Sequence, residues 1–317
     1  MPMEMDRERF AAMFPAVLED ALSYARSIHT PPEALAWLQK NITHNTTSGK
    51  HLRGLLIPNT HAHSLSRPLT SPEYTLSAKL GWLLELLQAS FLIPDDIEDH
   101  DTVRRGKASW HAVPGVGMKA INDAALLQSI VFYLLRRYLK GTCRWYVQIV
   151  ELLHEVVFRI GLGLNGISEG RCEVIARMKT AYYTIYAPVV VGMYLGGVGT
   201  EENLERMRRI ALRLGIYYQE SGRDIKDGKC SWLIVEALGR VNNVQRGVLE
   251  CYGSGEPGAV ERVQAVFREV GMKRVFEEFE EEFIERMRRD VADIDKSTGL
   301  EKGIFVDIMG IMYRRDK

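Results

Sequence analysis

Residues 86–106 read LLQASFLIPDDIEDHDTVRRG. An apolar run ends in five carboxylates within seven residues (Asp95, Asp96, Glu98, Asp99, Asp101), and two arginines follow, Arg104 and Arg105. Two like charges about 5 Å apart repel by roughly 3 kcal/mol at an effective dielectric of about 20, and by under about 1 kcal/mol in bulk water. On a solvated helix end that repulsion is trivial; if the same acids line a cavity, a cation has to sit among them. On a helix, Asp95 and Asp99 stand at i and i+4 and share a face. Gln88 lies almost on the same line, and Phe91 sits one turn below Asp95. An apolar wall leading up to paired carboxylates has the shape of a pocket with an acidic mouth. Such a pair suits Mg²⁺, which keeps several waters and bridges a few carboxylates to substrate phosphates. Arginine is the residue type that grips phosphate oxygens bidentately.

The chain has 317 residues, 46% apolar and 26% charged, with 41 basic and 41 acidic side chains. Zero net charge and the lack of a basic tract argue against a nucleic-acid binder. The first residues, MPMEMDRERF, carry acids and lack the order of a secretory signal. The apolar run 187–199 is interrupted by Pro188 and glycines and is too short to span a bilayer. Cys143, Cys172, Cys230 and Cys251 are scattered without metal-ligand spacing and read as reduced thiols of a cytoplasmic protein. The histidines show no HxxxH or HExxH pairing, which argues against a zinc site of that kind.

Helical periodicity dominates. In VFEEFEEEFIERMRRD (275–290), Phe276, Phe279, Phe283 and Met287 recur at three- and four-residue steps, with Glu282–Arg286 and Glu285–Arg289 as i,i+4 pairs. Similar stripes run through 21–29, 80–92, 124–139, 146–158 and 203–219, several of them apolar on more than one face. No period-2 strand pattern and no long linker interrupts them. The expectation is one all-α helical bundle over residues 1–317.

Several strings taken together resemble the trans-isoprenyl diphosphate synthase (polyprenyl synthetase) family, and its eukaryotic branch in particular. LLQASFLIPDDIEDHDTVRRGKASWHAVPGVGMKAINDAALL resembles its first aspartate-rich region, and SGKHLRG (48–54) its diphosphate-binding loop. MKTAYYTIYAPVVVGMYLGG resembles its Lys-Thr helix, RDIKDGKCSW the segment after its second aspartate-rich motif, and MYRRDK its basic tail. The resemblance implies a helical bundle around a large central cavity, a homodimer, and head-to-tail condensation of isopentenyl diphosphate with an allylic diphosphate. It assigns Mg²⁺ to Asp95 and Asp99, with Asp96 in support. Arg104, Lys179 and Lys229 would contact the allylic diphosphate, with polar help from Thr180 and Gln88. Lys50, Arg53 and Arg105 would hold isopentenyl diphosphate, and Gln219 would lie near the developing cation. Ser90 and Phe91 occupy the chain-length positions, where the family's C15-forming members carry two aromatics; one missing ring implies a deeper pocket and some C20 product beside C15. Read alone, Lys50 and Arg53 are equally a surface pair after a glycine turn, and Trp110, Trp232, Tyr182, Tyr183 and Tyr186 are packing residues.

The chain departs from the pattern in three places. After Gln219 it reads ESGRDIKDGK, with no second DDxxD and with Glu220 and Asp224 as the carboxylates nearest that position. Ile160 and Leu164 stand where the family offers Thr and Gln, and the connection 166–179 is short. Pro94 directly precedes Asp95, and a helix-interior proline costs about 3 kcal/mol and kinks the axis unless compensated. Three readings of the shortened 219–224 connection stand: residues are missing from the sequence, the chain is a degenerate diphosphate-binding or regulatory member, or it holds metal with the first motif plus Glu220 or Asp224. A terpene cyclase would share the DDxxD but has no use for Lys50, Arg53 and Arg105.

Overall fold

A computed structural model describes residues 3–162, 176–218, 225, 231–294 and 298–313; within them, residues 3–6, 176–180, 216–218 and 311–313 are described as backbone only. The described residues are almost entirely helical, and every stripe read from the sequence falls on a helix. The chain divides into two compact units, residues 1–155 with 187–199, and residues 156–186 with 200–317.

The first unit holds α1 (Met3–Ala11), α2 (Phe14–Ser27), α3 (Pro32–Thr46), α4 (Leu52–Ser64), α5 (Ser71–Glu98) and α6 (Lys119–Leu139). Most of α7 (Tyr146–Gly161) and all of α8 (Ala187–Leu195) complete it. Helix α5 is its hub, packed by α2, α3, α4, α6 and α8. That explains why α5 is apolar nearly all round: each face meets a neighbour. Among the described residues it is the one helix long and apolar enough to cross a membrane, yet 78% of its apolar window is buried inside the protein, as in a core helix.

Both ends of α5 are specified locally. At the start, Glu73 accepts from the Thr70 backbone N–H at 2.8 Å and from Arg67 at 2.8 and 2.9 Å. Those bonds hold its carboxyl far below the usual carboxylate range, the Arg67 bond contributing most. At the finish, His100 takes a left-handed conformation (φ 55°). Its N–H bonds Ile97 O, and the Asp101 N–H bonds Asp96 O at 2.9 Å, which is the Schellman arrangement. Pro94 does not interrupt the helix: α5 continues to Glu98, and the Asp99 N–H still reaches Asp95 O at 2.9 Å. Packing on all sides outweighs the lost bond, so Asp95 and Asp99 keep their common face.

Two glycines set how closely α4 crosses α5. A Cβ on Gly81 would land on the carbonyl oxygen of Gly54, and one on Gly54 would meet the ring of Phe10. Pro58 has already removed the i+4 donor of that carbonyl, so Gly54 O is left facing the Gly81 Cα. Phe10, 1% exposed, closes the crossing from below; it stacks on Trp82 at 4.7 Å and its carbonyl accepts from the indole N–H at 2.9 Å. The same device joins α4 to α8, where Gly192 meets Thr60 and Gly196 meets Ser64. On the far side of α5, Asp20 ties three helices together. It accepts from Lys79 (2.7 Å) and Tyr138 (2.8 Å), with Arg137 at 3.4 Å. Burial pushes the Asp20 carboxyl up, but these bonds and charges outweigh it and leave it below its ordinary value.

The second unit holds a π-helical run (Ala176–Tyr186), α9 (Glu201–Tyr218), α10 (Trp232–Leu238), α11 (Asn243–Leu249), α12 (Ala259–Glu269), α13 (Met272–Ala292) and α14 (Gly303–Tyr313). Its small core gathers Ile234, Leu249, Val263, Val266 and Met272. Gly215 of α9 lies directly against the Ala181 backbone. Trp232 packs on Phe279 at 4.7 Å, so the aromatic stripe of α13 buries its rings against α10.

Gly81→Ala should destabilise the protein by about 1–3 kcal/mol, the usual cost of overpacking a tight contact. Gly247→Ala, on α11 where a Cβ meets open space, should stabilise it by roughly 0.5–1 kcal/mol. Urea midpoints that move alike for the two variants would refute the close-crossing argument.

Candidate active site

The site in the first unit forms where three short segments converge on the C-terminal half of α5. The first is the loop 48–51 leading into α4. Gly49 has φ 117°, a conformation glycine adopts without strain, and the Arg105 guanidinium occupies the space a Cβ would need. An Arg105 N–H donates to the Ser48 carbonyl. His51, also left-handed at φ 47°, is held by its ring: it packs at 4.9 Å from Trp82, and Nε2 donates to Thr46 O at 3.0 Å. Lys50 is therefore exposed and Arg53 half-buried at the first turn of α4.

The second segment is a feature the sequence did not reveal, a two-stranded hairpin of β1 (Val103–Arg104) and β2 (Lys107–Ala108). Arg105 and Gly106 form its turn with φ 54° and 76°, the pair of positive values a tight two-residue hairpin needs. Each strand is too short to alternate, so no period-2 signal existed to read. The turn aims Arg105 at Ser48 and Arg104 at the acids.

The third segment is the acidic end of α5. Asp95 is half-buried and Asp99 exposed, while Asp96 is 3% exposed and turned inward. Its Oδ1 accepts from Arg104 Nε at 2.6 Å, and Arg104 also meets Asp101 at 3.2 Å. Burial pulls the Arg104 guanidinium down, but its bond to Asp96 and the charges of Asp96, Asp101 and Asp95 raise it on balance. Arg105 is lowered, first by burial around its guanidinium and then by Arg53 and Arg104, against the opposing pull of Glu85 and Asp96. The residue as a whole is exposed by area; only its tip is crowded, against Gly49.

The hairpin is braced from outside the site. Asp123, 3% exposed on α6, accepts from the indoles of Trp37 (2.9 Å) and Trp110 (2.9 Å). Asn41 donates to the Asp123 carbonyl at 3.2 Å, and His44 donates to Ala108 O at 2.9 Å. This network fastens β2 and the 3-10 turn Trp110–Ala112 to α3 and α6. A shallow open pocket remains beside the hairpin, lined among others by His44, Asn45, Asp96, Arg104 and Arg105.

The structure thus brings Lys50, Arg53, Arg104 and Arg105 to the same end of α5 as Asp95, Asp96 and Asp99. Gln88 is half-buried on the face that carries Asp95. Ser90 is 5% exposed, with its hydroxyl donating to Leu87 O at 2.7 Å, and Phe91 is half-buried. Lys179 and Thr180 fall in the π-helical run, the helix type often found at functional sites, but their side chains lie outside the described ones. Gln219, Glu220, Asp224, Lys229, Leu164 and the tail 314–317 lie outside the described residues. Sequence reasoning passed over Glu85, Asp123 and His100. A lone glutamate inside GWLLELLQASFL was the available signal for Glu85, since Glu is rarely buried without a partner.

Among the described residues no group of three or more His, Cys, Asp or Glu is arranged to hold a metal unaided. Mg²⁺ does not require one: it is commonly bound through one or two carboxylates plus substrate phosphates. Asp95 and Asp99 on one helix face offer those two ligands, whereas Asp96 is committed to Arg104.

The sequence model of the polyprenyl synthetase family matches residues 35–221. The farnesyl pyrophosphate synthase of Schizosaccharomyces pombe is 35% identical over 343 aligned residues, covering 98% of each chain. That of Gallus gallus is 34% identical over 351, covering 99% of this chain and 94% of the relative. A farnesyl diphosphate synthase of T. brucei, complexed with bisphosphonate, superposes with a TM-score of 0.87 at 23% identity over 100% of both chains and shares the fold. The chain belongs to the polyprenyl synthetase family, a class of prenyltransferases. Within that class, relatives matching nearly its whole length are farnesyl pyrophosphate synthases. The 343 aligned positions exceed the 317 residues of the chain by 26, so at least that many are gaps in it, in keeping with the short connections noted at 166–179 and 219–224. The family match ends at 221, beside the place where the second motif is missing.

Asp96→Ala should cost about 1.5–3 kcal/mol of stability, since it removes a charge-assisted bond and leaves Arg104 with Asp101. A urea midpoint unchanged from wild type would show that the pair contributes nothing.

Proposed function

We propose that this chain transfers a prenyl group, head to tail, from dimethylallyl or geranyl diphosphate to isopentenyl diphosphate, giving farnesyl diphosphate with some C20 product. The observation that carries the proposal is the convergence of two cation sets, from loop 48–53 and from hairpin 104–105, beside the Asp95–Asp99 face. A site with separate cationic grips suits two diphosphate substrates.

Asp95 and Asp99 would hold Mg²⁺, which when bound supplies positive charge to the departing diphosphate. Arg104 would add donors to that diphosphate, and the family resemblance assigns Lys179, Lys229, Thr180 and Gln88 to the same group. Lys50, Arg53 and Arg105 orient isopentenyl diphosphate, which keeps its own diphosphate throughout. The allylic C–O bond breaks, C1 of the allylic group bonds to C4 of isopentenyl diphosphate, and a proton leaves C2 of the latter. Gln219 is assigned to the neighbourhood of the developing cation. Holding both substrates together accounts for much of the rate enhancement. The reading includes residues 1–317 acting as one catalytic domain, in keeping with relatives that match along nearly all of it. It also includes a homodimer without a membrane span or nucleic-acid partner, in the cytoplasm. The exposed apolar side chains of Met118, just before α6, Ile121 and Leu126 on α6, and Val147 on α7 support a second copy, and the free thiols of Cys143 and Cys251 support a reducing compartment.

A second reading, a degenerate diphosphate-binding or regulatory member, is favoured by one specific observation. The sequence carries no second DDxxD after Gln219, and Glu220 and Asp224 are the nearest carboxylates there.

Product analysis separates the two. Purified protein given isopentenyl diphosphate and either allylic substrate should form a C15 alcohol after dephosphorylation, only with Mg²⁺, and Asp95→Ala should lower the rate by about 100-fold or more. Diphosphate binding without product would establish the second reading. Ser90→Phe should shift any C20 product back to C15 by refilling the chain pocket; an unchanged product profile would remove Ser90 from chain-length control.

A further inference from the structure

Asp123 is a buried carboxylate outside the site whose bonds lead into it. It lies in the second turn of α6 and is 3% exposed. Burial of a carboxylate calls for donors, and each oxygen has one. Oδ1 accepts from the Trp37 indole at 2.9 Å, and Oδ2 accepts from the Trp110 indole at 2.9 Å. The two indoles meet edge to face at 5.9 Å, and Trp110 is 1% exposed. Two converging donors demand two acceptors. A carboxylate supplies them, whereas an amide has one oxygen and would turn its own N–H groups on the other indole.

From Trp110 the connection to the hairpin is continuous. The Ser109 N–H donates to Thr102 O at 2.9 Å, Ala108 pairs with Val103, and Lys107 pairs with Arg104. His44 Nε2 donates to Ala108 O at 2.9 Å. Each residue from 107 to 110 is thus tied, so a displacement of Trp110 moves the turn that carries Arg105. Two further attachments of the hairpin are made by the arginines themselves, Arg104 to Asp96 at 2.6 Å and Arg105 to the Ser48 carbonyl. A diphosphate competes for those same N–H groups. The anchorage at Trp110 uses no group that a diphosphate needs. It therefore holds the base of the hairpin while the arginines exchange partners.

We propose that Asp123 is a positioning residue for the diphosphate-binding arginines: through Trp110 it fixes the base of the hairpin, and with it the place from which Arg104 and Arg105 reach substrate. The inference rests on the assignment of Arg105, with Lys50 and Arg53, to isopentenyl diphosphate.

Titration calorimetry of the full chain with isopentenyl diphosphate in metal-free buffer tests it, alongside thermal melting. The proteins compared are wild type, Asp123→Asn, Trp110→Phe, the double variant Asp123→Asn/Trp110→Phe, and Trp37→Phe. Asp123→Asn and Trp110→Phe should each bind about tenfold more weakly through lost preorganisation. The double variant should bind no more weakly than the weaker single one, because both changes break the same bond. Trp37→Phe removes the other indole bond of the same carboxylate and leaves the Trp110 bond in place. It should melt lower, as the loss of a buried bond requires, yet bind within about twofold of wild type. Trp110→Phe keeps the carboxylate and a ring in the core, so it carries the test even where Asp123→Asn does not fold. Variants that melt lower but bind like wild type would reduce the network to a stability device and overturn the role of Asp123. Equal losses in Trp37→Phe and Trp110→Phe, or losses that add in the double variant, would overturn it too, leaving the site assignment intact. A wild type that binds no isopentenyl diphosphate would overturn both.

Discussion

The contact between Gly54 and Gly81 is the constraint from which the rest of the site follows. Because neither residue carries a Cβ, α4 and α5 cross backbone to backbone, closed from below by Phe10. At that separation the first turn of α4 comes within hydrogen-bond reach of Glu85 on α5. The loop 48–51 is then delivered beside the end of α5, where Gly49 gives the Arg105 guanidinium room to fold in. Any side chain at the crossing would tilt α4 away and carry Lys50 and Arg53 with it.

The second organising principle is electrostatic. Neighbouring arginines repel one another, and a buried carboxylate counters this locally. Asp96 holds Arg104. The acid-rich stretch thereby divides into two roles that its spacing alone does not separate. Asp95 and Asp99 face outward along α5, whereas Asp96, one residue on, turns into the protein. A helix advances about 100° per residue, and that rotation is what separates an outward-facing acid from an arginine-holding one.

Much of this was legible in the sequence. The helices announced themselves by apolar spacing, and α5 by being apolar on every side. The acid pair, the two arginines and the glycine-containing loop were found as chemistry that makes sense only in combination. The misses have physical causes. The hairpin 103–108 has strands of two residues, too short to show a period. The stop of α5 uses His100 in a left-handed conformation where glycine is the usual signal. Pro94 sits inside α5, which continues past it to Glu98. Asp123 and its two indole donors come from positions 37, 110 and 123, a meeting that no local pattern contains.

By itself, then, the sequence determined the helical class, the location of several helices, and the kind of chemistry. Those depend on residue type and on spacing within a few turns, which local physics translates directly into faces. Only the tertiary structure decided which charges are spent on one another and which face outward. Whether Arg104 meets Asp96, Arg105 meets Ser48, or Glu85 meets Gly54 depends on how closely helices far apart in the chain approach. That distance is set by packing at positions such as Gly54 and Gly81, where the deciding feature is the absence of a side chain.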